Sequence, residues 1–362
     1  MAHVVIGLSG GVDSSVAAYL LKRQGHDVTG LFMINWHDTT GTLEGDCPWH
    51  DDRVFAELVA KRLDIPLRVV DLSADYRTRV VDYMFAEYEK GRTPNPDVLC
   101  NREIKFAPFK AKAAELGADF VATGHYCRID HTASPQLKKA ADASKDQTYF
   151  LNQVRTDQLE NVLFPLGDMY KKDVRALAVE NGLVTGRKKD STGICFIGER
   201  NFRRFLSTYL PAKPGDIVDT SGRVVGRHEG VMYYTLGQRR GLGIGGVSGE
   251  AENRWYVVDK DVKNNRLVVS CGEGKELLSD GCVCDGLNII GDFSWAPGER
   301  LSCTAKLRYR QPEQPVTAVR EGDGFRLYFA VPQRAVTPGQ YAVLYTGERC
   351  LGGGVIVSTF VS

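Results

Sequence analysis

The stretch VVIGLSGGVDSS, residues 4–15, joins an apolar run to a glycine turn and a serine-rich helix start. The run 4–8 predicts a buried strand, and the glycines that follow let the backbone approach an anion with no Cβ in the way. Free N–H groups at a helix N-terminus suit a bound phosphate, and the hydroxyl groups of Ser14 and Ser15 can donate hydrogen bonds to it. The stretch predicts a nucleotide-binding turn, although parallel-sheet proteins without that function also place Gly and Ser after their first strand.

Beyond this turn, strands and helices alternate as far as residue 123, which is typical of a parallel sheet covered on both faces. Strands are predicted at 28–34, 67–72 and 120–123, and helices at 14–23, 53–63, 76–88 and 103–116. The proline-rich residues 92–97 predict an irregular loop. Ligands of such sheets bind beyond the carboxyl ends of the strands, where we expect residues 9–15, Met33 and Gly124 to lie.

The domain organisation follows from length and from a change in composition. A chain of 362 residues exceeds the usual size of one core. Residues 145–210 predict mainly helix, whereas short valine-rich and aromatic runs beyond Pro214 predict β-structure. We therefore expect an α/β fold with a Rossmann-like parallel-sheet domain and helical extension (1–210), followed by two smaller β-rich domains (211–280 and 281–362).

Composition places the chain among ordinary globular proteins. Its formal net charge is +1, and it is 43% hydrophobic and 25% charged, which neither indicates nor excludes a nucleic-acid partner. The N-terminus lacks a signal-peptide pattern, and no 18 apolar residues run together, so we expect a cytoplasmic protein with no membrane partner. Nine cysteines without a C-x-x-C pair argue against a disulfide scaffold and a zinc ribbon.

Two cysteines stand in segments that favour a reactive thiolate. Cys100 lies between the proline-rich loop and a helix expected near Glu103, with Arg102 and Lys105 close in sequence. Cys195 lies in a basic, glycine-punctuated segment, KKDSTGICFIG. Each pattern also fits an ordinary buried cysteine, and the residues alone leave both interpretations open.

The motifs become specific when they are considered together. The loop SGGVDS lacks the lysine of the phosphate loop G-x-x-x-x-G-K-[ST] and resembles the pyrophosphate-binding loop (PP-loop) of the ATP pyrophosphatases. Further motifs follow it in one order: RTPNPDVLCN, ATGHY, KDQTYFL, DSTGICFIG, TLGQRRGLGIGG, WYVVDKD, RYRQ and VTPGQYAVLY. With them the whole chain resembles the tRNA-specific 2-thiouridylase family, whose members place sulfur on C2 of the wobble uridine of certain tRNAs.

The resemblance implies that ATP adenylates O2 of that uridine and that pyrophosphate leaves into the loop, with Mg²⁺ neutralising charge. Asp13 is the candidate Mg²⁺ ligand, although an acid at this position can instead cap the helix. The residues expected to bind ATP by this resemblance are Gly7, Leu8, Ser9, Gly10, Gly11, Val12, Asp13, Ser14, Met33 and Gly124.

The same resemblance implies a persulfide on Cys195, loaded by an upstream persulfide sulfur carrier or a cysteine desulfurase. If its terminal sulfur attacks C2 directly, Cys100 acts as the nucleophile that releases the product and leaves a transient Cys100–Cys195 disulfide. In the alternative order, Cys100 first liberates hydrosulfide. Both orders require the two Cα atoms to approach to about 4.4–6.8 Å.

The tRNA partner is expected to present an unpaired anticodon loop, from which the wobble base can leave its stack. By resemblance, Asn95, Pro96 and Asp97 contact the base, with Asp97 as a candidate acid or base or, more simply, a turn residue. Lys145, Asp146, Gln147, Arg308 and Tyr309 are expected to contact tRNA. The C-terminal β-domains would clamp RNA, and residues 131–143 are expected to be unremarkable. Rival interpretations are an adenylating synthetase that forms an amide or guanidino bond, and a non-catalytic nucleotide- or RNA-binding module.

Overall fold

A computed structural model describes residues 1–37, 49–189, 202–211, 213–244, 254–272 and 274–361. Strands of the N-terminal half are β1 (His3–Gly7), β2 (Asp27–Ile34), β3 (Leu67–Asp71), β4 (Phe120–Ala122), β5 (Arg128–Asp130), β6 (Gln136–Lys138) and β7 (Val162–Leu163). Helices are α1 (Val12–Arg23), α2 (His50–Leu63), α3 (Ser73–Tyr76), α4 (Asp82–Glu89), α5 (Pro96–Leu99), α6 (Pro108–Glu115), α7 (Thr148–Leu151), α8 (Thr156–Leu159), α9 (Lys171–Glu180) and α10 (Phe202–Tyr209). π-Helical turns span Arg77–Val81 and Cys100–Lys105, and a 3-10 turn spans Val184–Arg187.

The C-terminal half consists mainly of β-structure. Its strands are β8 (Gly215–Asp219), β9 (Val224–His228), β10 (Trp255–Asp261), β11 (Arg266–Cys271), β12 (Leu278–Ile289), β13 (Arg300–Lys306), β14 (Gln314–Glu321), β15 (Gly324–Arg334), β16 (Tyr341–Thr346) and β17 (Arg349–Phe360). Single 3-10 turns lie at Val231–Tyr233 and Lys275–Leu277.

The first sheet is parallel, with the strand order β3-β2-β1-β4-β7. Its central strand, β1, is apolar at successive positions because helices cover both faces: Val4 and Ile6 belong to one core, and Val5 belongs to the other. The order of the strands reverses between β1 and β4, and this switch point is where α/β sheets bind ligands. The predicted α/β, Rossmann-like fold is confirmed.

The region before α6 differs from the sequence prediction. Residues 92–97, expected to form an irregular loop, include the start of α5 at Pro96, and the Asn95 side chain accepts a hydrogen bond from the Val98 N–H at 3.4 Å. Proline suits the first helical position because its missing N–H would have no partner there. The helix predicted over 103–116 is divided, since Pro108 cannot continue a helix that arrives from Lys105.

Two β-rich units follow. Strands β10-β11-β8-β9 form a four-stranded sheet around its own apolar core, which includes Val257 and Leu267. The strands β12-β15-β14-β13-β16-β17 form a barrel that closes because β12 pairs with both β15 and β17. The expectation of two smaller β-rich units after the parallel-sheet domain is confirmed.

The hairpin β5–β6 extends the barrel sheet, although it belongs to the N-terminal half of the chain. Lys138 of β6 pairs with Arg349 of β17, and Arg128 of β5 donates to Glu348 at 2.9 Å. Residues 131–143, expected to be unremarkable, therefore connect the two halves of the molecule. No helix of the described residues is long and apolar enough to cross a membrane.

Candidate active site

The turn after β1 is held by its own polar groups. The Leu8 N–H donates to the carbonyl of Leu31 on β2 at 3.0 Å. Beyond it, the Ser14 hydroxyl accepts from the Ser9 N–H at 3.1 Å and donates to the Gly11 carbonyl at 3.1 Å. Gly10 has a φ of +74°, and a Cβ there would overlap the Asp52 carbonyl group. The loop therefore has a defined shape before any ligand arrives.

The helix that follows this turn begins without a side-chain cap. Its N-cap is Gly11, in an extended conformation, which has no side chain to accept a hydrogen bond from the N–H groups of the first turn in the way a Ser or Asp cap would. Those donors and the positive end of a twelve-residue helix lie at the switch point of the sheet. This is the geometry of an anion site built from backbone.

Gly124 joins this site from β4. A Cβ at Gly124 would lie 2.8 Å from the Ser14 nitrogen and 2.9 Å from the Asp13 carbonyl carbon, so only glycine lets the two segments meet. Met33 is half-buried near the carboxyl end of β2, the neighbour of β1. The predicted ATP-binding residues therefore come together at one edge of the sheet, and their contact with ATP stays a prediction.

Two lysines lie beside the loop, and the sequence pattern did not single them out. Lys171, at the start of α9, places its Nζ 2.7 and 2.8 Å from the two Asp13 carboxylate oxygens. Lys188 donates to the Gly10 carbonyl at 3.0 Å and to Asp52 at 2.5 Å. Each lysine is more than 150 positions from the loop in sequence, so no local spacing could have identified it.

Asp13 does not have the surroundings of a metal ligand in this arrangement. Lys171 engages both of its oxygens, and the Tyr126 hydroxyl donates to one of them at 2.8 Å. Among the described residues, no group of three or more His, Cys, Asp or Glu side chains could hold an ion. In this arrangement Asp13 is engaged by Lys171 and Tyr126, and Asp13 as a magnesium ligand stays a prediction.

His125, the middle residue of the motif Gly124-His125-Tyr126, belongs to the core of the protein. Burial, and then the charge of Lys105, hold the pKa of His125 well below its ordinary value. The ring packs beside Phe106 and Phe164, and its Nδ1 lies 2.7 Å from the Thr123 hydroxyl oxygen. His125 is therefore a neutral residue of the core at physiological pH.

Cys100 is the first residue of the π-helical turn after α5 and is only 1% exposed. It lies in the core on one face of the parallel sheet, together with Val5 and Leu99. Because the helix begins at Pro96, Cys100 lies past its first turn, and the expected position at a helix N-terminus is wrong. Asp97 is half-buried and one helical turn earlier, which places it on the same side of the helix as Cys100.

Cys195 lies outside the described residues, but the chain on both sides of it is described. Before it, Lys188 contacts the loop at Gly10. After it, Phe205 and Leu206 of α10 belong to the same apolar core as Cys100. The segment that carries Cys195 therefore starts beside the anion site and ends beside the core that holds Cys100.

The predicted tRNA contacts are brought together from distant parts of the chain. Lys145, Asp146 and Tyr309 line one polar cavity of about 430 Å³, together with Arg310 of the same RYRQ motif and with Lys306, which the sequence did not single out. Gln147 follows Asp146 in sequence, and its amide oxygen accepts a hydrogen bond from the Tyr126 N–H at 2.9 Å.

Two of the predicted tRNA-contacting residues, Asp146 and Arg308, already make hydrogen bonds within the protein. Asp146 is 4% exposed, and its carboxylate accepts from the Ala140 N–H at 3.0 Å and the Thr148 hydroxyl at 2.7 Å. Arg308 donates to the carbonyls of Leu236 at 3.2 Å and Ala335 at 2.7 Å, which joins the middle sheet to the barrel. Both side chains stabilise the fold, and their contact with RNA stays a prediction.

The parallel sheet, the glycine loop and the uncapped helix give this domain the fold of the ATP pyrophosphatase class, and a β-barrel is joined to it. Family models agree: one described as "tRNA methyl transferase HUP domain" matches residues 2–199. Models described as "tRNA methyl transferase PRC-barrel domain" and "Aminomethyltransferase beta-barrel domain" match residues 203–271 and 279–356.

Full-length relatives identify the family. The chain is 50% identical over 360 residues to the tRNA-specific 2-thiouridylase MnmA of Pseudomonas syringae, covering 98% of this chain and 94% of the relative. It is 52% identical over 357 residues to the enzyme of the same name from Alkaliphilus oremlandii, covering 98% and 96%. The chain belongs to the tRNA-specific 2-thiouridylase family, as its motifs predicted, and is a tRNA sulfurtransferase.

A solved structure of a 4-thiouridine synthetase–RNA complex with bound ATP also matches, with 19% identity and a TM-score of 0.36. The match covers 55% of this chain and 46% of that one, and nothing about function follows at this level of similarity.

Proposed function

We propose that this protein thiolates the wobble uridine of tRNA at C2 by adenylating O2 with ATP and then transferring sulfur from a persulfide on Cys195. The observation that carries the proposal is the uncapped start of α1 at the switch point, beside a lysine-flanked glycine loop. Backbone N–H groups directed at an anion suit a pyrophosphate leaving group. Membership of the 2-thiouridylase family supports the same reaction.

In the first half-reaction, O2 of the uridine attacks the α-phosphorus of ATP, and the bond to the bridging oxygen of the β-phosphate breaks. Pyrophosphate leaves into the loop between Gly7 and Ser14, and C2 then carries AMP as a leaving group. Any Mg²⁺ that enters with ATP would be held by phosphate oxygens and water, and no step here depends on a protein ligand for it.

In the second half-reaction, the terminal sulfur of the Cys195 persulfide attacks C2 and the C2–O bond breaks, which releases AMP. The base is then tethered to Cys195 through an S–S bond. The Cys100 thiolate attacks the Cys195 sulfur, the thiouridine sulfur leaves, and a Cys100–Cys195 disulfide remains for a cellular thiol to reduce. In the other order, Cys100 first releases hydrosulfide, which attacks C2.

The cytoplasm supplies the ATP and reducing thiols that this cycle needs, with a persulfide carrier or desulfurase as the upstream partner. The residues on either side of Cys195 favour a reaction between Cys195 and Cys100. Lys188, before Cys195, contacts the ATP loop, and Phe205 and Leu206, after it, belong to the same core as Cys100. Asp97, one turn before Cys100, is proposed to move a proton at the uridine as O2 is activated. The cationic cavity at Lys145 and Arg310 is proposed to bind tRNA phosphates.

The test combines purified protein, ATP, unmodified tRNA, and a cysteine desulfurase with cysteine as the sulfur source. We expect 2-thiouridine by mass spectrometry, together with AMP and pyrophosphate. Cys195→Ser should stop thiolation and Cys100→Ser should stop turnover, whereas Cys303→Ser, in the barrel, should leave both intact. The proposal is wrong if no 2-thiouridine forms, and a synthetase of another kind is indicated if Cys195→Ser retains full activity.

A further inference from the structure

The phosphate-binding helix carries an acid in its first turn. Asp13 is the second residue of α1, next to the N–H groups that form the anion site. A carboxylate there favours the helix dipole, but it repels a phosphate that approaches the same N–H groups. The site becomes receptive to a polyanion only if something cancels the charge of Asp13.

Lys171 is placed to do this. Its Nζ reaches both Asp13 oxygens, at 2.7 and 2.8 Å, and its side chain is only 11% exposed, against 34% for Asp13. Its backbone N–H donates to Asp142 at 3.0 Å, which fixes the start of α9. A half-buried pair held from both sides is screened by solvent much less than a surface salt bridge.

Tyr126 contacts both members of the Asp13–Lys171 ion pair. Its hydroxyl donates to Asp13 at 2.8 Å, and the Lys171 ammonium lies 5.7 Å from the centre of its ring. Tyr126 follows Gly124, the residue that lets this segment touch the first turn of α1. Three segments therefore converge on one carboxylate at the entrance of the loop.

We propose that Lys171 is a positioning residue of the pyrophosphate subsite: it cancels the charge of Asp13 and thereby makes the loop receptive to the phosphates of ATP. The inference rests on the proposed function only in naming ATP as the source of the pyrophosphate group. Whether the loop binds pyrophosphate depends only on the residues of this chain, whichever reaction releases the pyrophosphate.

A purely structural ion pair and a charge-cancelling one differ in what happens when both charges are removed. If the pair only connects α9 to α1, the double variant Asp13→Asn with Lys171→Met still lacks that connection and binds the ligand no better than Lys171→Met. If Lys171 cancels charge, Lys171→Met leaves Asp13 to repel the ligand, and adding Asp13→Asn removes the repulsion. A double-mutant cycle separates the two.

The experiment measures binding of inorganic pyrophosphate and of ATP to the full chain by calorimetry, in EDTA and without tRNA. We expect Lys171→Met to weaken both by about 10- to 100-fold. The double variant should recover most of the loss, and Lys171→Arg should stay close to wild type. Lys172→Met is the matched control, because Lys172 is the next residue and its side chain is exposed.

Thermal unfolding of each variant shows whether it folds, and binding is compared only among variants that do. The inference is overturned if folded Lys171→Met binds pyrophosphate like wild type, or if the double variant binds as weakly as the single one. Its failure is distinguishable from that of the proposed function. Wild type that binds pyrophosphate but makes no 2-thiouridine overturns only the function, and wild type that binds neither pyrophosphate nor ATP overturns both.

Discussion

The loop after β1 and the cavity beside Tyr309 both suit negative charge, but they are built in opposite ways. The loop uses backbone N–H groups, its Ser14 hydroxyl is bonded within the turn, and both neighbouring lysines are paired, Lys171 with Asp13 and Lys188 with Asp52. The cavity relies on the long side chains of Lys145 and Arg310 around a polar opening, whereas Lys306 is mostly buried and pairs with Asp146 at 3.7 Å. A fixed backbone site selects one small anion, whereas flexible cations accept a polymer in more than one register.

The largest expected effect is at Gly124, where the backbone of the loop site leaves no room. Gly124→Ala should weaken ATP binding by at least about 100-fold, because the new methyl group would displace Ser14 from the anion site. Calorimetry with ATP measures the loss. Gly226→Ala is the control, since its Cβ would meet only ordinary contacts at 3.6 Å. If Gly124→Ala bound ATP with wild-type affinity, the loop would adapt to the added methyl group. The contrast between a fixed backbone loop and a cavity of flexible side chains would then be wrong.

The next-largest effect is expected at Arg308, and it tests whether this arginine stabilises the fold or binds RNA. Arg308→Gln should lower the free energy of unfolding by about 2–4 kcal/mol, because it removes the charged donor to the Leu236 carbonyl and one of two donors to the Ala335 carbonyl. Urea denaturation measures this. The dependence of tRNA affinity on salt should not change in folded protein. If Arg308→Gln instead reduced the salt dependence of tRNA affinity and left the free energy of unfolding unchanged, Arg308 would bind RNA and not stabilise the fold.

The middle sheet provides a buried lysine that lies outside both sites. Burial lowers the pKa of Lys260 to about 8, and its ammonium donates to the Tyr234 carbonyl at 2.9 Å. Because the folded pKa is below the unfolded value of 10.5, the unfolded chain binds more protons between pH 8 and 10.5, so this lysine makes stability rise with pH there.

Between pH 8 and 9.5, Lys260 should add about 1–2 kcal/mol to the free energy of unfolding, and Lys260→Met should remove that increment. Urea titrations at the two pH values measure it, with Lys263→Met, an exposed neighbour, as the control. An equal rise in wild type and in Lys260→Met would show that the lysine is not desolvated.

The smallest single effects are expected at the cavity, where each cation is one of several. Lys145→Ala and Arg310→Ala should each weaken tRNA binding by about three- to tenfold and reduce the slope of log affinity against log salt by about one. ATP binding should not change. Lys112→Ala, on the exposed side of α6, serves as the control for net charge. If neither variant changes the salt slope, tRNA binds elsewhere.

The sequence predicted the parallel sheet and the loop because their signals are local. An apolar run followed by SGGVDSS specifies a strand, a turn and a helix within twelve residues. Lys171 could not be found this way, since it meets Asp13 only after the chain has folded. The start of α5 was missed because prolines at 94 and 96 were interpreted as breakers, whereas Pro96 begins a helix capped by Asn95.

The tRNA residues show a different limit. A motif shared across a family marks positions, but it does not say whether a side chain faces solvent or the core. Arg308 and Arg310 lie in the same motif, RYRQ, but Arg308 is bonded to carbonyls inside the protein, whereas Arg310 lines the cavity. Only the structure separates the two groups, because burial depends on contacts between distant parts of the chain.

The hairpin β5–β6 also has a consequence for the order in which the protein matures on the ribosome. Its partner strand β17 lies at the far end of the chain, and the ion pair between Arg128 and Glu348 spans 220 positions. The parallel sheet can fold while synthesis continues, but the edge of β6 that faces β17 stays unpaired until β17 emerges. A nascent chain stalled before β17 therefore exposes an unpaired strand edge, which is the point at which a chaperone would be needed.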